Sequence, residues 1–134
     1  MIKTVVLPAF LGLGLALTLM AQSEADFVGW MKDIGSTRGK VNKAITAKQH
    51  AEVAAEAAHL AAVFKQVGAF WTGRNASDAV ALSKTAETAA NDLAAASKSG
   101  DEAQMQASLK AINSTCSPCH MAHREGQSPN YKIK

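Results

Sequence analysis

Residues 101–124 read DEAQMQASLKAINSTCSPCHMAHR, and their spacing sets the architecture. Met105, Leu109 and Ile112 recur at steps of four and three, the repeat of one helix face. Continuing the same steps reaches Cys116, then Cys119 or His120, then His123, so an apolar stripe runs directly into a polar motif. Side chains at i, i+3 and i+4 lie on one side of a helix, and both thiols and the imidazole are therefore expected to face the interior. Asp101, with Gln104 three residues on, resembles a capping box that opens this helix, which is expected to run toward Glu125 and Gly126. Pro118 removes one backbone hydrogen bond, to Ser114, and clashes with that carbonyl. Either the helix kinks there, or it breaks and restarts with Ser117 as N-cap and Pro118 as first helical residue.

Upstream, the chain is rich in alanine and only 5% aromatic, a composition that favours helices over strands. Phe27, Met31, Ile34, Val41 and Ile45 form one stripe on a helix expected from Glu24 to Thr46. Val53, Ala57, Leu60, Phe64 and Val67 form a second, from Lys48 to Gly68. The connection AFWTGRN follows, with Gly73 and Asn75 as turn residues and Phe70 and Trp71 expected to plug the end of the core. Ser77 or Asp78 is expected to cap a third helix with a thin face, Val80, Ala86, Ala89, Leu93 and Ala96, closed by Gly100. Four helices joined by short connections make an all-α, antiparallel up-and-down four-helix bundle the natural architecture. One domain is expected over 24–126, and the patternless tail 127–134 is expected to be flexible. A small bundle padded with alanine buries little apolar area per residue, and a large group in its interior would help stabilise it.

The N-terminus begins with a charge at Lys3, continues with an apolar run from Val5 to Met20, and ends in AQSEAD. That is the pattern of a signal peptide over 1–23, with cleavage expected near residues 21–23. The run is short for a span of ~20 residues and is broken by Pro8, Gly12 and Gly14, so no stable membrane anchor is expected once it is removed. Export implies the periplasm, an oxidising compartment where thiols are joined or occupied. The formal net charge of +3 is spread among acids, which excludes a nucleic-acid patch.

Two cysteines three apart with histidine directly after the second form C-x-x-C-H, the attachment motif of c-type haem. Two thioethers hold the porphyrin edge while the imidazole of His120 reaches the iron from one face. A thioredoxin-like pair would need a βαβ setting that this helical chain lacks. Structural zinc would need a second pair of ligands beside Cys116, Cys119 and His120 or His123. A disulfide between neighbours already held by one helical turn would close a very small loop and contribute little. No acid–base pair, nucleophile arrangement or substrate motif points to an enzyme. His50, His59 and His123 read as surface or hydrogen-bonded histidines. Lys32, Arg38, Lys40 and Lys43 read as a solvated helix face that also suits an acidic partner.

A leader, four expected helices and CSPCH near the end of the last one together resemble the cytochrome c′ family, the class II c-type cytochromes. The resemblance covers about Glu24 to Glu125 and implies one covalently attached haem c, with Cys116 and Cys119 as thioether attachments and His120 as proximal ligand. Family members carry an arginine four residues after the haem histidine, the place of Arg124, beside the haem. On the first helix the family places the group that faces the iron from the other side, and in WMKDIGSTRGKVNKAI the matching residue is Met31. Methionine there implies six-coordinate, low-spin iron suited to single-electron transfer with unidentified redox partner proteins. An aliphatic group there implies five-coordinate iron that takes up small gases such as nitric oxide. Family members often pair, so a homodimer is also implied.

Overall fold

Ser23 starts the first helix. Its hydroxyl accepts the Asp26 N–H at 3.1 Å while the Asp26 carboxylate accepts the Ser23 N–H at 2.9 Å, so open donors of the helix start are met reciprocally. The computed structural model describes residues 22–134, so the expected leader falls outside the described residues apart from Gln22 and Ser23. Cleavage after Ser23 would remove this cap. Helix α1 spans Glu24–Thr46, α2 His50–Gly73, α3 Ser77–Ser99 and α4 Glu102–His123, followed by strands β1 (Arg124–Glu125) and β2 (Lys132–Ile133). Lys48, Asn75 and Gly100 take left-handed backbone angles, with φ of 55°, 56° and 73°, and reverse the chain between successive helices. Such short connections force antiparallel neighbours, and the four helices form the expected up-and-down bundle.

All four helices fill the core, α2 and α3 most heavily and α4 through its first two-thirds. Leu60, Leu93, Met105, Ile112, Val41 and Val53 are fully buried, each worth roughly 1.5–3 kcal/mol of transfer free energy for a side chain of that size. Helix α3 contributes mostly small groups, Ala79, Ser83, Ala86, Ala89, Ala90 and Ala96. They let α2 come close: a Cβ on Gly68 would stand 3.5 Å from that of Ser83. Buried hydroxyls bond within their own helices, Ser83 to the Ala79 carbonyl at 2.7 Å and Thr115 to that of Ile112 at 2.8 Å.

Two local expectations are corrected, and of the two geometries left open at Pro118 the break is excluded. Helix α2 does not stop at Gly68 but continues through AFWTG to Gly73, because Phe70 and Trp71 prolong its buried stripe and Gly68 serves close packing rather than a turn. Helix α3 is capped by neither Ser77 nor Asp78. Its N-cap is Ala76, which makes no side-chain cap bond, and the Asp78 carboxylate is engaged by His123. Helix α4 runs unbroken through Pro118, with Ser117 helical rather than capping. Pro118 and Ser114 both lie on the solvent face, so water can meet the carbonyl that proline leaves without a donor.

The segment after α4 also has more structure than its lack of pattern implied. Helix α4 ends at His123, and β1 pairs antiparallel with β2, Arg124 opposite Ile133 and Glu125 opposite Lys132. The Lys134 N–H donates to the His123 carbonyl at 3.0 Å and the Lys134 ammonium to that of Met121 at 3.0 Å, so the returning strand caps α4. Gly126, at φ 85°, allows the reversal, and a Cβ there would stand 2.7 Å from the Asn130 carbonyl oxygen.

Gly100→Ala isolates one term of this fold. The new Cβ would meet His50 at an ordinary 3.8 Å, so only the left-handed backbone penalises it. The expected loss is about 1 kcal/mol, read as a lower urea midpoint at unchanged slope.

Candidate functional site

The inner face of α4 is buried at Met105, Leu109, Ile112 and Thr115, and then the protein's own packing thins out. Cys116, Cys119, His120 and His123, which continue that face, are only half-buried. On α1, Phe27, Ile34, Thr37 and Val41 are buried, but Met31 between them is half-buried, as is Trp30. The seams of α3 with α2 and with α4 are closely packed and α1 lies against α2, whereas α1 and α4 scarcely touch.

Contacts along the bundle set the register of α1 against α4. At one end the Lys48 ammonium lies 3.4 Å from the Glu102 carboxylate. Midway, Arg38 Nε donates to Asn113 Oδ1 at 2.5 Å. At the other end Phe27 and His123 pack on the same Trp71 ring, with centroids 5.3 and 4.6 Å away. Stepping seven residues, two helical turns, from each partner of the Arg38–Asn113 bond leads to Met31 and to His120. Two turns preserve the face to within about 20°, so these two residues stand at one level on facing sides of the loosest seam.

Two of the four histidines are hydrogen-bonded to carboxylates, His59 Nε2 at 2.7 Å from Asp33 and His123 Nε2 at 2.7 Å from Asp78. His50 Nε2 stands 3.8 Å from Glu102 and has no hydrogen-bond partner among the described residues. The His120 imidazole has no hydrogen-bond partner among the described residues. Partial burial, followed by the nearby charges of Arg124 and Arg38, lowers its pKa from 6.5, so its imidazole is neutral at physiological pH. Burial, reinforced by Asp78 and Cys116, raises the pKa of Cys119, which keeps it a thiol. That is the opposite of the depressed value a thioredoxin-like nucleophile needs. Cys116 and Cys119 are both free, and among the described residues no three His, Cys, Asp or Glu side chains converge where they could hold a metal ion.

Arg124 is the C-cap of α4, with extended backbone, and its guanidinium lies 4.0 Å over the Tyr131 ring. The structure thus brings the Cys-Cys-His motif level with Met31, while Arg124 stands at the rim and acts on His120 through its charge. Lys40 pairs with Glu56 at 3.7 Å and Arg38 turns to Asn113, so the basic face of α1 is smaller than its sequence implied. Two features of this end were missed. The Asp78–His123 bond joins residues 45 apart, which no local pattern reveals. Arg38 does carry a signal, a cation placed between Ile34 and Val41 on an apolar stripe.

Residues 28–124 match the family described as Cytochrome C'. The chain belongs to the cytochrome c′ family. No curated protein and no solved structure matches it significantly. Membership implies a covalently bound haem c, and the residues present fit one. Two free thiols and a neutral, unpartnered imidazole share the half-covered face of α4, opposite a half-covered methionine. Cytochrome c′ family members are typically exported, and among the described residues no helix is long and apolar enough to cross a membrane.

The Asp78–His123 bond gives this end of the cytochrome c′ bundle an acid-dependent strut. His123 lowers the pKa of Asp78 below its ordinary 3.8, so the contribution is present above that value and is lost as pH falls through the depressed one. Asp78→Asn is expected to be less stable than the parent at neutral pH. In acid titrations followed by circular dichroism, the gap should close below about pH 4.

Proposed function

We propose that this cytochrome c′ family protein is an exported mono-haem carrier of single electrons, working in the periplasm. Cys116 and Cys119 form the two thioethers, His120 is the proximal ligand and Met31 the distal one. The observation that carries this reading is the common level of Met31 and His120 across the seam that protein packing leaves loosest. The haem supplies a one-electron iron couple, and the chain's part is to hold ligands, exclude water and set the field. His120 is held neutral by partial burial, the protonation state a ligand needs. A methionine thioether opposite a histidine favours the reduced iron and raises the potential. Phe27, Phe70 and Trp71, packed with centroids 4.6–5.3 Å apart, close that end of the bundle against water.

Electron transfer by this route needs no substrate pocket or acid–base machinery, and the protein is proposed to have redox protein partners rather than a turnover of its own. Pairing of two bundles is compatible with this role.

The competing reading, five-coordinate iron that binds nitric oxide or similar gases, makes the opposite spectroscopic forecast. In protein matured by a host able to attach c-type haem, the visible spectrum of both oxidation states should be low-spin, and carbon monoxide should bind only by displacing the methionine. Met31→Ala should keep the haem attached, turn the spectrum high-spin and lower the potential. A wild-type spectrum that is already high-spin, and a variant that leaves spectrum and potential unchanged, would support the gas-binding reading instead. Cys116→Ser with Cys119→Ser should release all haem on denaturation, whereas the parent should retain it.

A further inference from the structure

Arg38 sits on α1 between buried Ile34 and Val41, in the same seam as Met31, and is itself half-buried. Its Nε donates to Asn113 Oδ1, a bond that orients the guanidinium and uses one of its five N–H donors. The other arginines are occupied: Arg74 bonds Glu24 at 2.8 Å and stacks on Phe70, and Arg124 stacks on Tyr131. Among the described residues no carboxylate pairs with Arg38. Asp33, on the same helix, is engaged by His59 and Thr37, Glu56 of α2 by Lys40, and Asp78 of α3 by His123. A cation drawn partly out of water without a counter-charge costs free energy unless something else supplies one.

Haem c brings two propionate carboxylates into a seam that otherwise lacks a free acid. Arg38 lies two turns, about 10 Å, from the level of Met31 and His120, a separation bridged by a porphyrin substituent and an arginine side chain together. We propose that the terminal nitrogens of Arg38 hold a haem propionate as a forked, charge-assisted pair, with Asn113 as the positioning residue that aims the guanidinium. The pair neutralises the half-buried cation, keeps the carboxylate ionised and locks haem orientation to the α1–α4 register. At the motif end of the bundle, Arg124 is engaged with Tyr131, and His123 and Asp78 are engaged with each other.

This inference rests on the haem c reading, and its test keeps the two apart. In the holoprotein, reduction potential is measured against pH together with the carboxylate vibrational bands. The wild type should show its propionate ionisation below the ordinary carboxylate range. Arg38→Gln should move it up by one pH unit or more and lower the potential at neutral pH, while Arg38→Lys should keep most of the charge effect. Asn113→Ala retains the cation and should fall between wild type and Arg38→Gln. A wild-type ionisation at the ordinary value overturns the proposal without any variant, and so does an Asn113→Ala protein identical to Arg38→Gln, which would make Arg38 a strut alone. Haem lost from the wild type on denaturation overturns the haem c reading itself, a result distinct from a stable holoprotein whose ionisation ignores Arg38.

Discussion

On α4 two thiols and an imidazole without a hydrogen-bond partner are half-buried at the level of a half-buried methionine on α1, along the seam where the two helices scarcely touch. A polar group without a partner is costly when wholly buried, and a bundle that closed this seam with its own side chains would leave the His120 imidazole in an apolar interior. The sparse contact of α1 with α4 avoids that cost. The remaining structure compensates. Close packing moves to α2 and α3, where alanines and serines allow short separations, and α1 is tied across the seam by the polar Arg38–Asn113 bond rather than by apolar contact.

The ends of the bundle show the same division. Near the motif, Phe27, Phe70 and Trp71 form a dense aromatic plug, and His123 stacks on Trp71 while bonding Asp78. One histidine of α4 is thereby committed to the scaffold, and the neighbouring His120 is left free. The β1–β2 ribbon satisfies the last carbonyls of α4 and places Tyr131 beneath Arg124, so the C-terminal residues hold in place the helix end that carries the motif. An exposed Met121, 72% accessible, follows His120 directly and marks the outer side of the same turn.

Much of this was legible in the chain because it depends on local spacing. The stripes on all four helices, the Asp101 and Gly100 punctuation and the Cys-Cys-His steps are properties of residues a few positions apart. Errors arose where a local signal competed with distant packing. Gly68 and Gly73 look like turn residues, but burial of Phe70 and Trp71 extends α2 past both. Ser77 and Asp78 look like caps, but His123, far along the chain, claims the aspartate. Pro118 looks like a helix breaker, yet its carbonyl partner faces water, where the lost bond costs little.

The residues themselves decided the all-α class, the antiparallel order and the chemistry of attachment, since helix periodicity, short connections and C-x-x-C-H are short-range facts. Met31 could be named from a family pattern, but its standing level with His120 follows from contacts between residues far apart in the chain. Lys48 with Glu102, Arg38 with Asn113, and Phe27 and His123 on Trp71 together set how α1 slides against α4. Helix periodicity carries no information about that sliding, because every register of two amphipathic helices presents the same stripe. Side chains meeting across the seam select one, and in doing so they bring Met31 and His120 to one level and tie the half-buried Arg38 to Asn113.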